Sequence, residues 1–136
     1  NPQDGRNPMT YEISQSFFFD AAHTLQREIE TEASTRVHGH TYRGEVAVMG
    51  AVDPNTGMVV DLVQLRSLLV QVREQLDHRL LDEVPGLGIP TLENLCAFIA
   101  QFAGLTEFRL SRVSVWRDGI GDRCDLRFAR TLPFQV

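Results

Sequence analysis

The chain has 136 residues, of which 43% are apolar, and its 18 acidic and 13 basic side chains give a net charge of −5. This length suits one compact domain with its own core. The acidic balance argues against nucleic acid or a membrane as the main partner, because both require a basic face. No apolar run approaches the ~20 residues that cross a bilayer. Two cysteines without metal-binding spacing, and no signal-like segment, predict a cytoplasmic protein.

The first eight residues differ in composition from the rest of the chain. Residues 1–8 are polar and rich in Asn, Pro and Gly. We interpret them as a flexible extension or a remnant of expression, with Met9 as the native start. Residues 9–136 are therefore predicted to form the single domain.

Two strands are predicted near the beginning of this domain. In Tyr11–Asp20 the apolar residues alternate, and Phe18 makes the end of the strand apolar on both faces. Thr24–Arg36 has no clean period and is predicted to be a loop with solvated glutamates. Val37–Val52 is the second predicted strand. The turn signal at Asp53–Gly57 predicts that Met58–Val60 returns as a third strand, antiparallel to the second.

Two helices follow, each with a recognisable N-cap. Asp61 is the predicted N-cap of the first, which ends at Leu76. Its apolar residues recur with a period of 3.6, at Leu62, Leu65, Leu69, Val72 and Leu76. Thr91 is the predicted N-cap of the second helix, Glu93 lies in its first turn, and Gly104 is predicted to end it.

The last part of the chain predicts two further strands. Leu110–Trp116 alternates, Gly119–Asp122 turns, and Cys124–Arg130 returns. The order of elements indicates one α+β domain with an antiparallel sheet, covered on one face by two helices. We expect the other face to carry apolar residues as well, for which a partner subunit is the simplest cover.

Three of the four histidines suggest a metal site. His38 and His40 are two residues apart in a predicted strand and should point to the same face. His23, at the end of the first strand, is the third candidate. Three neutral imidazoles suit Zn²⁺ and leave a coordination position open, as in catalytic zinc sites. The alternative is that these are solvated histidines on a surface strand.

Five ordered motifs resemble those of a known family. They are Phe19–His23, His38–Tyr42, Asp53–Asp61, Leu76–Leu81 and Pro90–Asn94. From about Tyr11 to Phe128 the chain resembles the 6-pyruvoyl-tetrahydropterin synthase and 6-carboxy-tetrahydropterin synthase family. The resemblance implies the T-fold (tunnelling fold), a four-stranded antiparallel sheet with two helices on one face. It also implies that three subunits join their sheets into a twelve-stranded barrel, and that two trimers stack into a homohexamer.

The resemblance also implies roles for individual residues. It implies Zn²⁺ on His23, His38 and His40, where the metal holds the hydroxyls of a pterin side chain. Asp77 and His78 match the family's Asp-His pair, in which the carboxylate orients the imidazole as a proton shuttle. Considered alone, such a pair after a helix is also a common C-cap and surface group. By the same resemblance, Thr91 and Glu93 are expected to contact the substrate.

Two positions depart from the family pattern. Ser34 stands where the family usually has a catalytic cysteine, and a hydroxyl does not ionise as a thiol does. Ser34 is either a weak substitute or a loop residue without a chemical role. Arg117 stands where the family has a glutamate that accepts hydrogen bonds from the pterin ring. Because arginine only donates hydrogen bonds, the pocket is expected to have changed its preference to an anionic or carbonyl-bearing group.

Two functions follow from these observations. The first is a zinc-dependent lyase that acts on the side chain of a pterin such as 7,8-dihydroneopterin triphosphate, by elimination at a phosphate-bearing carbon or by retro-aldol cleavage. Such an enzyme would belong to tetrahydropterin or queuosine biosynthesis. The second is a protein that binds a pterin-like or purine-like molecule without converting it. The loss of the cysteine and of the glutamate favours the second function, while the intact histidines favour the first.

Overall fold

A computed structural model describes residues 9–24 and 37–128 of the chain. The five strands in this part of the chain form one mixed sheet in the order β3-β1-β2-β4-β5. The strands are β1 (Tyr11–His23), β2 (His38–Gly50), β3 (Arg79–Leu80), β4 (Leu110–Arg117) and β5 (Asp122–Arg127). The helices are α1 (Leu62–Leu76) and α2 (Leu92–Ala100), and 3₁₀ turns occupy Leu81–Glu83 and Leu105–Glu107. Neither helix, at 15 and 9 residues, has the length and apolar content that crossing a bilayer requires.

The four long strands pair in antiparallel fashion, as predicted. β1 and β2 are paired along their whole length, from Tyr11 opposite Gly50 to His23 opposite His38. Because this pairing continues to the histidines, β1 extends beyond its predicted end at Asp20. β4 pairs with β2, and β5 pairs with β4. β5 begins before its predicted start at Cys124 and ends at Arg127, while the last two residues of the predicted strand lie outside the described part of the chain.

Two predictions about the strands were wrong. Met58–Val60 is not a strand. The Asp53 N–H donates to the Met58 carbonyl (2.9 Å), so Met58 still belongs to the turn that starts at Asp53. Asp61 then caps α1, which leaves too few residues to pair. The sheet also has a fifth strand, β3, which is parallel to Ala21–Ala22 of β1. A two-residue strand carries no alternation that a sequence could reveal.

Both predicted N-caps are present. The Asp61 carboxylate accepts from the Val63 N–H (2.9 Å), and the Thr91 hydroxyl accepts from the Asn94 N–H (3.1 Å). The predicted end of the second helix was wrong, because α2 ends at Ala100. Gly104 instead precedes the next 3₁₀ turn with φ of 90°, a left-handed conformation that glycine adopts without steric cost.

Both helices pack on one face of the sheet, as predicted. The core combines residues of both helices with inward-facing residues of β1, β2 and β4. Its fully buried side chains include Phe19, Tyr42, Val46, Leu65, Val72, Leu76, Leu95, Ile99, Val113 and Val115. This packing explains the helical stripe of the sequence, of which four residues are buried and Leu62 only partly so.

The second sheet face carries some apolar residues, as expected, but is largely polar. This face carries a polar network in which Arg112 Nη1 donates to Glu45 Oε1 and to Ser114 Oγ, each at 2.5 Å. The Ser114 hydroxyl in turn donates to Asp125 (2.5 Å) and is fully buried under this network. Strand alternation places these residues opposite the apolar face of β4. Phe18, the apolar residue of β1 on this face, is 46% exposed in the single chain.

Candidate active site

Three imidazoles meet at one end of the sheet. His23 ends β1, and His38 and His40 begin β2 directly opposite. The ring centroid of His23 lies 5.1 Å from that of His40 and 6.2 Å from that of His38. Imidazoles that bind one Zn²⁺ tetrahedrally, with Zn–N bonds of about 2.0–2.1 Å, have centroids roughly 5 Å apart. The fold therefore brings His23 and His40 to the spacing that zinc requires, while the ring of His38 lies further from that of His23.

Of the three histidines, His23 is the buried one. Its side chain is buried, with 6% exposure, and neither ring nitrogen has a hydrogen-bond partner within residues 9–24 and 37–128. Buried polar atoms are nearly always paired, so an orphaned imidazole calls for an explanation. A divalent metal ion would supply the missing partner. The chemistry of this donor set fits Zn²⁺.

Electrostatics keep two of these imidazoles in the metal-binding form. Burial lowers the pKa of His23 and of His40, and the positive charge of Arg117 lowers both further. A neutral imidazole is the form that ligates a metal ion. The nitrogen atoms themselves are not yet clustered: in the described part of the chain, the group with possible ligand atoms within 4.8 Å of one another is Asp20, Asp77 and His78.

The predicted Asp-His pair is present, and neighbouring residues hold its carboxylate in place. Asp77 follows α1, and its Oδ2 contacts His78 Nδ1 (2.9 Å) and Arg73 Nη2 (3.1 Å). Asp77 Oδ1 accepts from the backbone N–H of Asp20 (2.9 Å). The Asp20 N–H is the main cause that lowers the pKa of Asp77, and His78 and Arg73 add to it. The pair is thus a fixed carboxylate beside an imidazole, as a proton shuttle requires.

His78 combines exposure with an unusual backbone. Its side chain is 80% exposed, and its φ of 58° makes it the residue other than glycine with positive φ in the described chain. Such conformations are uncommon for residues with a Cβ and cluster at functional sites. His78 lines a cleft of about 560 Å³ together with Asp20, Thr41 and His40.

Strand alternation separates the Asp-His pair from the His23 imidazole. The Asp20 carboxylate, which accepts from the Thr41 hydroxyl, lies within 4.8 Å of a His78 ring nitrogen. Asp20 and His23 are three residues apart in β1 and therefore point to opposite faces. In one chain, therefore, the Asp20 carboxylate beside His78 and the His23 imidazole lie on opposite faces of β1, while His40 lines the same cleft as His78.

The remaining predicted site residues have different fates. Ser34 lies outside the described residues. Thr91 is engaged as the N-cap of α2, Glu93 is exposed on its first turn, and neither lines the cleft beside His78. Asp20 was not predicted, although its place before Ala21-Ala22-His23 and the alternation of β1 could have indicated it.

Arg117 lies beside the histidines, on the helix-covered face. Its Nη2 donates to Asp122 Oδ2 (2.5 Å), and its guanidinium carbon lies 5.8 Å from the centroid of the Tyr42 ring. Its Nε is buried and has no hydrogen-bond partner in the described chain. Asp122 was also missed, although the Gly119–Gly121 turn places it opposite Arg117.

Comparisons with known proteins agree with the geometry. A family model described as 6-pyruvoyl tetrahydropterin synthase matches residues 12–127. The 6-carboxy-5,6,7,8-tetrahydropterin synthase of Synechocystis is 38% identical over 100 residues, which are 70% of this chain and 74% of the relative. The dihydroneopterin monophosphate aldolase of Pyrococcus furiosus is 34% identical over 101 residues, which are 72% of this chain and 82% of the relative.

A solved structure supports the same fold. The 6-pyruvoyl tetrahydropterin synthase of Caenorhabditis elegans superposes with a TM-score of 0.72 at 24% identity, over 90% of this chain and 98% of that chain. This confirms the predicted α+β T-fold. The sheet is open in a single chain, so the barrel and the homohexamer stay predictions.

Proposed function

This chain belongs to the 6-pyruvoyl tetrahydropterin synthase family, and on that premise we propose that it is a lyase that cleaves the side chain of a pterin-like substrate by a retro-aldol reaction. The observation that carries the proposal is the Asp77–His78 pair, in which Asp20 and Arg73 fix the carboxylate and the exposed side chain of His78 stands on a left-handed backbone. The similarity to an enzyme named as an aldolase supports the same chemistry.

The proposed reaction needs one proton acceptor on the protein. His78 accepts the proton of a side-chain hydroxyl, and the oxygen electron pair forms a carbonyl group. The neighbouring carbon–carbon bond breaks, and its electrons pass into the conjugated ring system. Protonated His78 then returns the proton to the carbon that has lost its partner. Asp77 stabilises the imidazolium that forms between these steps.

Zinc is part of the proposal. His23, His38 and His40 would hold the ion, and the orphaned nitrogens of buried His23 support this assignment. A bound Zn²⁺ would act as a Lewis acid on the substrate hydroxyls.

A homohexamer, formed as a dimer of trimers, is also proposed. The Asp20 carboxylate beside His78 and the His23 imidazole lie on opposite faces of β1, so a neighbouring chain that supplied its His78 to these histidines would complete the site. Two observations support this: the alternation of β1 and the contact between Asp20 and His78.

Elimination of triphosphate is less well supported. That reaction removes a carbon-bound proton, for which the family uses a thiolate, and Ser34 supplies none. A pure binding role is the second candidate, and the specific observation in its favour is the guanidinium of Arg117 beside the histidines.

Product analysis separates these functions. The zinc-loaded protein is mixed with 7,8-dihydroneopterin monophosphate or triphosphate, and the products are identified by mass spectrometry. Retro-aldol cleavage gives a phosphorylated two-carbon aldehyde and a 6-hydroxymethyl pterin, and His78→Ala should abolish both. Release of triphosphate would show elimination instead. Saturable binding with unchanged substrate would establish the binding role and overturn the proposed lyase.

A further inference from the structure

Residues at the end of α1 bind the edge of β1 beside the Asp-His pair. β3 pairs with β1 at Ala21–Ala22 only, so the backbone groups that precede this pairing need other partners. Arg73 Nε donates to the Phe18 carbonyl (2.7 Å), and the Asp20 N–H donates to Asp77 Oδ1 (2.9 Å). The same edge of the strand therefore holds both Arg73 and the carboxylate of the pair.

The guanidinium of Arg73 makes three contacts at this edge. Besides its bond to the Phe18 carbonyl, its Nη2 lies 3.1 Å from Asp77 Oδ2, and its central carbon lies 4.9 Å from the centroid of the Phe18 ring. A guanidinium over the face of an aromatic ring is attracted by the quadrupole of that ring. Phe18, whose side chain is 46% exposed, thus holds Arg73 through both its ring and its carbonyl. We refer to these two residues as the Phe18–Arg73 clamp.

The clamp limits how the Asp77 carboxylate can turn. Its Oδ2 is shared by Arg73 Nη2 (3.1 Å) and His78 Nδ1 (2.9 Å), while its Oδ1 accepts from the Asp20 N–H. Arg73 and a protonated His78 attract this carboxylate, whereas the Asp20 carboxylate, which has an oxygen within 4.8 Å, repels it. The side chain of Asp77 is 13% exposed, so few water molecules can replace these contacts. Arg73 therefore opposes a rotation that would turn Oδ2 away from His78.

We propose that the Phe18–Arg73 clamp positions Asp77 for the proposed reaction, so that Nδ1 of His78 stays bonded to the carboxylate and Nε2 is left to accept the substrate proton. Arg73 and Phe18 are positioning residues, because they act through Asp77 and neither belongs to the described lining of the cleft beside His78. The inference rests on the proposed function, since it assigns their role within the proton shuttle.

Kinetics with matched variants provide the first test. Arg73→Gln removes the charge of the clamp, and Phe18→Leu removes the ring but keeps the backbone carbonyl. Arg66→Gln is the control, because Arg66 Nε also joins α1 to β1, through Gln15 Oε1 (3.1 Å), two turns before Arg73. The zinc-loaded full chain is assayed with 7,8-dihydroneopterin monophosphate.

We expect the clamp variants to lose kcat and to keep KM, because neither residue contacts the substrate. In Arg73→Gln, kcat should fall about tenfold, which is less than the roughly 100-fold that a displaced catalytic group can cost. Phe18→Leu should lose less, and Arg66→Gln should match the wild type. Arg73→Lys, which keeps the positive charge, should recover part of the rate.

The pKa of Asp77 gives a second readout, which requires no substrate. The aspartate carboxyls are labelled with ¹³C and titrated by NMR, and the signal of Asp77 is identified by its absence from Asp77→Asn. Arg73→Gln should raise the pKa of Asp77, because a positive charge and a hydrogen bond to the ionised form are lost. Phe18→Leu should raise it less, and Arg66→Gln should leave it unchanged. Thermal unfolding verifies that each variant is folded.

The outcomes distinguish this inference from the proposed function. A lower kcat together with a raised pKa of Asp77 in Arg73→Gln, and neither in Arg66→Gln, supports the clamp. An unchanged kcat or pKa in Arg73→Gln, or an equal loss of kcat in Arg66→Gln, overturns it. Wild-type behaviour of Phe18→Leu in both measurements overturns the role of the ring. If the wild type converts no pterin, the proposed function fails, and the pKa of Asp77 in the variants shows separately whether Arg73 holds the carboxylate.

Discussion

The backbone of His78 is bonded directly to that of Asp20: the His78 N–H donates to the Asp20 carbonyl across 2.6 Å. Asp20 also donates its own N–H to Asp77 Oδ1. These two bonds join the end of α1 to the central hairpin of β1 and β2. They hold both members of the Asp-His pair against the strand that carries His23.

Asp77→Asn tests the carboxylate of this pair. The amide keeps an acceptor for the Asp20 N–H but cannot stabilise an imidazolium on His78. We expect kcat to fall about 100-fold, within the range of general acid–base catalysis, while substrate binding is retained. The measurement is the pH–rate profile of the variant against the wild type. Equal kcat values at all pH values would contradict the assigned role.

The same carboxylate predicts how stability depends on pH. The pKa of Asp77 is lowered from its ordinary value of 3.8 by the Asp20 N–H, with further contributions from His78 and Arg73. A depressed folded-state pKa contributes stability that is complete above the unfolded value and is lost as the pH falls through the folded value. Urea unfolding between pH 2 and 6 should show this loss below about pH 4. In Asp77→Asn the loss should be smaller.

The left-handed backbone of His78 can be separated from its chemistry. His78→Gly removes the imidazole but suits φ of 58°, whereas His78→Ala removes the imidazole and keeps a Cβ in that conformation. We expect the glycine variant to be more stable than the alanine variant by about 1 kcal/mol, measured by urea unfolding. Both should be inactive, and added imidazole should restore part of the activity of the glycine variant. An alanine variant of equal stability would show that the conformation is not strained.

Long periodic elements and polar caps were predictable, because Asp61 and Thr91 act within their own helices. The stripe from Leu65 to Leu76 was predictable for the same local reason. The fifth strand was not predictable, because Arg79–Leu80 pairs only through contact with a distant part of β1.

The residues of the candidate site could be predicted where the chemistry of the side chain identifies them, but not where their contribution depends on backbone contacts with neighbouring residues. The three histidines could be identified as candidate ligands because imidazole is a common metal ligand, and the β1–β2 register brings His23, His38 and His40 to one end of the sheet. Asp20 contributes mainly its backbone groups, which no side-chain pattern reveals. The second face is more polar than expected because Phe18 makes it apolar at one position, whereas serine and charged residues alternate along the same strands.

Zinc binding gives a prediction with an internal control. Wild-type protein reconstituted with Zn²⁺ should contain one ion per chain, and His23→Ala should lose it because the buried ligand is gone. His78→Ala should keep it, since the fourth histidine lies outside the predicted ligand set. Metal content is measured by atomic emission after exhaustive desalting, and thermal unfolding should show stabilisation of the wild type by zinc. Equal metal content in both variants would contradict the ligand assignment.

Two glycines in β2 test how tightly the hairpin is packed below the site. A Cβ on Gly44 would lie 2.7 Å from the ring of Phe17, whereas a Cβ on Gly39 would meet no atom within 4 Å. The Phe17 ring packs against the core and stacks on Phe19 at 6.0 Å, so it can move away only by disturbing that packing. We expect Gly44→Ala to lower the free energy of unfolding by about 1–3 kcal/mol.

Gly39→Ala, although it lies between two predicted zinc ligands, should leave stability within about 0.5 kcal/mol of the wild type. Urea unfolding of the two variants side by side checks both values, and a larger loss for Gly39→Ala would show that the space between His38 and His40 is more restricted than the structure indicates.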